Sequence, residues 1–270
     1  MSYFTHLGLK KEPFSTSPDP AFFYHSQEHS TALKRLEIAI RLRRGLSLIL
    51  GDVGTGKTTL ARILLNSFDT EKFIFHMILD PTYKSEYQFL KAISRMFGIG
   101  GNSLSTIDYK EELERYLYWQ GVEQNKTIIL LIDEGQKLSL PFLEILRTLL
   151  NYETNEYKLL QLVIMAQLEL LPRLRKIRNF LDRVSLKYII NPLTEAETKE
   201  MIDFRLRQAG YDAPASLFTE EAVKEIYYHT QGYPRRIALL CHASLEYLIM
   251  KDKAMVDRQL VKEIIKEEVS

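Results

Sequence analysis

The sequence predicts an α/β fold in which helices sandwich a parallel sheet, followed by a small all-helical domain. Between residues 46 and 190, short apolar runs alternate with segments of helical period. This alternation is typical of crossover units, which build parallel sheets covered on both sides. After Pro192 the strand-like runs stop, and a capping box, Thr194-x-x-Glu197, starts a helical region. The predicted domains are residues 1–191, with an N-terminal lead-in at 1–45, and residues 192–270.

The individual elements follow from the period of the apolar residues and from the turn residues between them. The predicted strands are 46–50, 72–79, 126–132, 158–165 and 185–190. The predicted helices of the first domain are 27–44, 58–66, 85–97, 109–124 and 140–152. Helices are predicted for the second domain at 194–209, 219–230, 233–250 and 256–268.

Composition restricts the class of protein. The chain has 270 residues, and 36 Lys and Arg against 35 Asp and Glu give a net charge of +1. A globally basic protein that coats nucleic acid is therefore not indicated, although a local basic face such as Arg41, Arg43 and Arg44 stays open. The single cysteine, Cys241, lies in an apolar helical pattern and is predicted to be a core residue. No apolar run approaches the ~18 residues that a membrane helix needs, so a cytoplasmic chain without a membrane segment is expected.

Residues 48–59 carry the most informative motif. Gly51-x-x-x-x-Gly56-Lys57-Thr58 follows an apolar strand and opens a helix, which is the context of a phosphate-binding P-loop. The glycines allow backbone N–H groups and the helix N-terminus to converge on an anion. Lys57 would reach the terminal phosphates and the Thr58 hydroxyl would bind Mg²⁺, whereas the alternative is a glycine-rich turn without a ligand. The residues predicted to bind the nucleotide are Gly51, Asp52, Val53, Gly54, Thr55, Gly56, Lys57, Thr58 and Thr59.

A second motif follows the apolar strand that ends at Ile132. The strand delivers Asp133 and Glu134 to its carboxyl end, where ligands of open α/β sheets bind. In a P-loop protein these two residues form a Walker B motif, in which Asp133 holds Mg²⁺ and Glu134 polarises the attacking water. A solvated acidic pair at a strand end is the alternative.

Further polar residues are candidates for the same site. Gln167 ends the next strand and is placed to contact the γ-phosphate or its water, although a glutamine at a strand end is often only turn chemistry. Residues 172–187 concentrate positive charge, either as a solvated helix face or as the source of an arginine finger for a neighbouring subunit. After Gly232, Pro234 starts a helix that projects an arginine, Arg235, either into a structural salt bridge or towards ATP.

The first 25 residues are rich in aromatic residues and prolines and have no helical or strand period. Such a segment either packs as an irregular lead-in across a domain surface or walls the adenine pocket. In the second case, Tyr24 and His25 lie nearest to the base.

Together these features resemble an AAA+ ATPase, and more narrowly the ExeA/GspA group, the ATPases associated with type II secretion and their stand-alone relatives. The resemblance covers nearly the whole chain and implies a P-loop sheet with a helical lid, and ATP and Mg²⁺ as cofactors. Its motifs, besides the P-loop, are Gly8-Leu9 with Pro13-Phe14, Pro18-Asp19-Pro20 with Phe22-Phe23-Tyr24, Leu131-Ile-Asp-Glu-Gly-Gln136-Lys-Leu, Leu146-Arg147, Gln167-Leu-Glu-Leu and Gly232-Tyr-Pro-Arg-Arg-Ile.

The resemblance also implies roles for the matched residues beyond the two nucleotide motifs. Gln167 corresponds to sensor 1 and Arg235 to sensor 2. Arg183 stands where the family has an arginine before its last strand and is the first choice for the finger, with Arg178 in reserve. Two positions depart from the family: Gly135 replaces its usual alanine, and Ala166 replaces the glycine before Gln167.

Two functions of different class are compatible with this sequence. In the first, ATP turnover drives the oligomeric assembly of an envelope machine such as a secretin, with a secretion component as partner. In the second, the chain resembles the transposition-regulator ATPases, which polymerise on duplex DNA. Either function implies an ATP-dependent homo-oligomer, ring or filament. The near-zero net charge favours the first, and the presence of Glu134 disfavours a third, a nucleotide-binding scaffold without hydrolysis.

Overall fold

The computed structural model describes residues 3–17, 19–100 and 105–269, so Pro18 of the lead-in motif lies outside the described residues. The chain divides into two compact units. The first, the helical unit, contains Met1–Glu28, Gly54–Thr59 and Asn191–Ser270. The second, the sheet unit, contains His29–Val53 and Leu60–Ile190.

The strands and helices are numbered in chain order. The strands are β1 Leu46–Leu50, β2 Phe73–Ile78, β3 Thr127–Ile132, β4 Leu160–Ala166 and β5 Val184–Ile189. The helices are α1 Tyr3–His6, α2 Gln27–Arg41, α3 Lys57–Asn66, α4 Glu86–Met96, α5 Thr106–Tyr118, α6 Leu140–Leu149, α7 Leu170–Leu174, α8 Glu195–Gln208, α9 Glu220–Thr230, α10 Pro234–Met250 and α11 Arg258–Val269.

The five strands form one parallel sheet in the order β2-β3-β4-β1-β5, and the predicted α/β fold is confirmed. Every residue of β1, β3 and β4 is buried, because central strands of a parallel sheet are covered on both faces. Residues of β4 alternate between two cores: Leu162 and Ile164 pack with α4 to α7, and Val163 and Met165 pack with α2 and α3. Since successive side chains of a strand point to opposite faces, helices cover both sides of the sheet.

Three helices of the sheet unit end at least three residues earlier than their periodicity predicts, and one of them, α6, ends at Leu149. Helix α2 ends at Arg41, because Arg43 adopts a left-handed conformation with φ of 50° and Gly45 follows with φ of 87°. Helix α5 ends at Tyr118 and passes into a π-helical turn at Trp119–Glu123. Ser139 occupies the N-cap position of α6 but makes no capping hydrogen bond through its side chain.

The helical unit has a core of its own, and residues of the lead-in belong to it. Leu9, Phe14 and Phe22 are buried in one cluster with residues of α8 to α11. The ring of Phe14 contacts that of Phe218 edge-on, with centroids 5.9 Å apart. The lead-in was expected with the nucleotide-binding domain, and these contacts place its apolar residues in the helical unit. The boundary between residues 191 and 192 stays a prediction.

Helix α8 of the helical unit begins at the capping box that the sequence predicts. Thr194 and Glu197 form the capping box of α8, with both reciprocal hydrogen bonds present. Before α10, Gly232 has φ of 73°, and a Cβ atom there would lie 2.0 Å from the Leu193 carbonyl oxygen. Only glycine fits this turn, which delivers Pro234 to the first turn of α10.

Candidate functional site

The chain between β1 and α3 forms the turn that the P-loop motif predicts. Gly51, the first residue after β1, donates its N–H to the Ala166 carbonyl at the end of β4 (3.1 Å). Gly54 and Gly56 have φ of 83° and 94°, which a residue with a Cβ rarely adopts. Helix α3 begins at Lys57 and has no acidic residue in its first turn. A glycine turn that opens on a helix N-terminus without an acidic first turn fits a phosphate group.

The side chains of the P-loop differ in their exposure to solvent. Thr55 and Lys57 are buried, with exposures of 1% and 7%, whereas Asp52 and Val53 are exposed at the tip of the turn. The glycine turn, the N-terminus of α3 and the Lys57 ammonium together fit a bound polyphosphate.

Arg235, the predicted sensor 2, lies against the P-loop within the helical unit. Its backbone N–H donates to the Gly54 carbonyl at 3.3 Å. A Cβ atom at Gly54 would lie 2.9 Å from the Arg235 Cβ, so glycine is required at position 54 by this contact as well as by its φ angle. The Arg235 side chain is exposed, and its guanidinium has no hydrogen-bond or ion-pair partner among the described residues.

The acidic pair follows β3 directly. Asp133 is buried, and its N–H donates to the Ile78 carbonyl of the neighbouring strand β2 at 2.8 Å. Its Oδ1 accepts the Glu134 N–H at 2.9 Å. Glu134 adopts a left-handed conformation with φ of 51° and ψ of 35°. Such a conformation costs a non-glycine residue about 1–3 kcal/mol and persists only where the surrounding structure holds it.

Gln136 joins Glu134 to the end of β4. Its Nε2 donates to Glu134 Oε2 at 2.6 Å, and its Oε1 accepts the Gln167 N–H at 3.1 Å. The structure therefore brings two predicted site residues, Glu134 and Gln167, together through a third. In the sequence, Gln136 is visible only as part of the motif that follows β3, and the motif alone predicts no role for it. The signal that could have found it is the i, i+2 spacing, which lets an amide reach back to Glu134 within a turn.

The two departures from the family face each other. A Cβ atom at Gly135 would lie 3.2 Å from the Ala166 Cβ and 2.5 Å from Ile164 Cγ2. Gly135 is buried in the turn after β3, and Ala166 is the last residue of β4. The resemblance implies an alanine at position 135 and a glycine at position 166. This chain has the methyl group at position 166 instead, in the same contact.

We expect Gly135→Ala to lower the free energy of unfolding by about 1–3 kcal/mol, because it overpacks this contact. Adding Ala166→Gly should recover part of the loss, although the Ile164 contact remains. The two substitutions together should therefore cost less than their sum in urea unfolding. Gly100→Ala is the control, since a Cβ there meets nothing within 4 Å. Additive costs would show that the two positions are independent.

Tyr24 and His25, the residues predicted near adenine, make contacts with other side chains of the helical unit. The Tyr24 hydroxyl donates to Glu200 of α8, and its ring lies against Phe204 with centroids 6.1 Å apart. Burial, and then the hydrogen bond to Glu200, raise the pKa of Tyr24. The exposed His25 ring contacts Phe23 edge-on at 5.0 Å. These contacts favour the packed lead-in over the adenine wall, whose assignment to Tyr24 and His25 stays a prediction.

The two finger candidates differ in their surroundings. Arg183, in a 3₁₀ turn before β5, donates to the Asn179 carbonyl at 2.7 Å and to Asn151 Oδ1 at 2.8 Å. Arg178 is exposed, and within the described ranges no hydrogen bond or salt bridge engages its guanidinium. Arg183 would have to break two hydrogen bonds to reach a neighbouring subunit, whereas Arg178 would break none.

The P-loop turn and the acidic pair at the end of β3 define a P-loop NTPase. Residues 40–174 match the family model described as AAA domain, and the chain belongs to this family. It is 36% identical over 245 residues to General secretion pathway protein A of Aeromonas hydrophila, covering 90% of this chain and 44% of that relative. The predicted resemblance to AAA+ ATPases of the ExeA/GspA type is confirmed.

Solved structures share the fold. The Aeropyrum pernix ORC2 protein in ADPNP–ADP complexes aligns with a TM-score of 0.69 and 17% identity, over 96% of this chain and 72% of that one. Cdc6p from Pyrobaculum aerophilum aligns with a TM-score of 0.63 and 19% identity, over 90% and 67%. In the part of the chain that the structure describes, no helix is long and apolar enough to cross a membrane.

Proposed function

We propose that the chain binds ATP with Mg²⁺, hydrolyses it, and uses turnover to drive the assembly of a homo-oligomer in a secretion or envelope machine. The observation that carries hydrolysis is the fixed carboxylate of Glu134, held in a left-handed turn at the end of β3 and bonded to Gln136 at 2.6 Å. The similarity to General secretion pathway protein A supports the machine. Because the chain spans less than half the length of that relative, the partner is part of the proposal.

Nucleotide binding is assigned to the P-loop and the acidic pair. The N–H groups at the start of α3 and the Lys57 ammonium neutralise the terminal phosphates. The Thr58 hydroxyl and the Asp133 carboxylate would hold Mg²⁺, which supplies positive charge to the phosphate oxygens. Arg235 is positioned on the P-loop by its hydrogen bond to Gly54 and adds a second cation to this site.

Hydrolysis requires a base and a polar group beside the water. Glu134 accepts a hydrogen bond from the attacking water and orients it. Gln167 ends β4, the strand between β3 and β1, and its side-chain amide makes no hydrogen bond within the described ranges. That amide is therefore available to the γ-phosphate or the water, which is the sensor 1 role.

Two of the three arginines at the end of α2, Arg41 and Arg43, weigh against the DNA-binding alternative, whereas Arg44 is exposed. Arg41 lies over the rings of Phe68 and Phe73, at 5.4 and 5.5 Å from their centroids. The Arg43 guanidinium is bound within its own unit, to Thr127 Oγ1 at 3.1 Å, the Gly121 carbonyl at 3.1 Å and the Asn125 carbonyl at 3.2 Å. Side chains engaged in this way are poorly placed to bind phosphates of a duplex, which is the contact that dominates DNA affinity.

We expect assembly to place an arginine finger at the site of a neighbouring subunit, so turnover per subunit should rise with protein concentration. Arg178→Ala should lower turnover by up to ~10³-fold while leaving ATP binding intact. Mixing this variant with Lys57→Ala should partly restore turnover at interfaces that keep both groups. Phosphate release measured over a concentration series, with size-exclusion chromatography in ATP and in ADP, checks these expectations.

Arg183→Ala is the comparison variant, because Arg183 is the other candidate and is already engaged by Asn179 and Asn151. If it alone loses turnover in trans, the finger is Arg183. Turnover per subunit that is independent of concentration would contradict the trans arrangement. An ATP-dependent, salt-sensitive shift of duplex DNA would replace the envelope role by the DNA role.

A further inference from the structure

We propose that Gln136 is a positioning residue for ATP hydrolysis, which fixes the orientation of the Glu134 carboxylate and couples it to the end of β4. This inference rests on the proposed hydrolysis and assigns a role to a side chain that has no part in nucleotide binding. It is carried by the two hydrogen bonds of the Gln136 amide and by the anchoring of the turn that bears it.

The two hydrogen bonds define the amide's orientation. A carboxylate oxygen only accepts hydrogen bonds and a backbone N–H only donates. The group that faces Glu134 must therefore be the NH₂ of Gln136, and the group that faces the Gln167 N–H must be its carbonyl oxygen. With the amide rotated by 180°, both contacts would be lost, so this assignment does not depend on the usual ambiguity of glutamine side chains.

The turn that carries Gln136 is anchored on both sides. The Arg173 guanidinium donates to the Gln136 carbonyl at 2.6 Å and to the Leu138 carbonyl at 3.3 Å. On the other side, Lys137 Nζ binds Asp80 Oδ2 at 2.7 Å, and this contact holds the pKa of Asp80 below its usual value. Because the backbone is fixed at these points, the Gln136 side chain has little freedom to follow Glu134 elsewhere.

The contact with Gln136 gives the two oxygens of the Glu134 carboxylate different roles. Oε2 is committed to the Gln136 amide, whereas no hydrogen-bond donor of the described residues contacts Oε1. Oε1 is therefore the oxygen left to accept a hydrogen bond from water. A carboxylate held by one oxygen presents the other in a defined direction, and such preorientation is what lowers the barrier of a water attack.

The carbonyl oxygen of the Gln136 amide couples Glu134 to Gln167. Gln167 follows the last residue of β4, and its backbone N–H is bound to the same amide that holds Glu134. A displacement of Gln167 when its side chain engages phosphate must therefore move or release Glu134. The catalytic carboxylate thus depends on the position of a residue that the sequence predicts as a phosphate sensor.

The test is a kinetic comparison of Gln136→Ala and Gln136→Glu with the wild-type chain. We expect kcat to fall by about 10- to 100-fold in both, while KM and the Kd for ATP change by less than about threefold, since neither contact touches the nucleotide. Gln136→Glu retains the length and the acceptor for the Gln167 N–H but replaces the donor by a carboxylate oxygen that repels Glu134, so its effect acts through the contact with Glu134. Gln259→Ala is the matched control, because the Gln259 amide also donates to a glutamate, Glu263, at 3.3 Å. The kcat of this variant should be unchanged.

A double-mutant cycle separates positioning from a structural role. If Gln136 acts through Glu134, Gln136→Ala should cause no further loss of kcat in the Glu134→Gln background. A further loss of similar size, an unchanged kcat in both single variants, or a raised KM at constant kcat would overturn the proposal. If Gln136→Ala does not fold, the near-isosteric Gln136→Glu decides alone. A wild-type chain without ATP turnover would refute the proposed function itself, which is a different outcome.

Discussion

Replacing Glu134 with glutamine is expected to leave ATP binding intact and to lower kcat by about 10²- to 10⁴-fold, the contribution of a positioned general base. The amide cannot take a proton from water, whereas Asp133 still offers its carboxylate to Mg²⁺. The substitution should not disturb the local structure, because the Gln136 amide that donates to Glu134 Oε2 can equally donate to the oxygen of a glutamine. Phosphate release and equilibrium ATP binding, measured on the same preparation, check this result.

The control for this experiment is Glu144→Gln in the same unit. Glu144 lies on α6 and pairs with Arg147 at 2.6 Å on the surface, so the same chemical change there should leave turnover unaltered. Normal turnover in Glu134→Gln would remove Glu134 from the mechanism, and with it the role proposed for Gln136.

Replacing Lys57 with alanine is expected to weaken ATP binding by at least about 100-fold, because a charge-assisted contact with the phosphates is lost from a buried position. Lys57 is only 7% exposed, so its stem also contributes packing at the start of α3. Equilibrium binding of ATP and the melting temperature without nucleotide should be measured together.

Lys57→Met separates the two effects, since it retains the apolar stem and removes the charge. Both variants should lose binding, and the methionine variant should keep the melting temperature closer to that of the wild type. Lys91→Ala, which removes a lysine over the Tyr87 ring, is a surface control with unchanged binding expected. ATP binding of wild-type strength in Lys57→Met would mean that the P-loop holds phosphate by its backbone alone.

The parts of the molecule that the sequence predicts are those in which neighbouring residues determine the conformation. The runs of β1, β3 and β4 contain one polar residue each and are otherwise apolar, because these strands are buried on both faces, and this pattern is visible without the fold. The glycines and the lysine of the P-loop, and the acidic pair after β3, are likewise defined within a few positions.

Features that depend on distant partners could not be predicted. Nothing in the sequence near Arg183 shows that Asn151 accepts its hydrogen bond, and nothing near Tyr24 shows Glu200. The steric exchange between Gly135 and Ala166 likewise requires β3 and β4 to be side by side. In each case the partner is brought close by the tertiary fold, so spacing and periodicity carry no trace of it.

The shared core of residues 1–28 and 191–270 has a consequence for synthesis on the ribosome. All of the sheet unit is translated between these two stretches, so its parallel strands can pair before the second stretch emerges. Leu9, Phe14 and Phe22 are translated before the sheet unit, yet their buried partners on α8 to α11 are translated after it. Burial of such side chains is worth about 1.5–3 kcal/mol each, and until it occurs the nascent chain exposes an apolar segment that a chaperone can recognise.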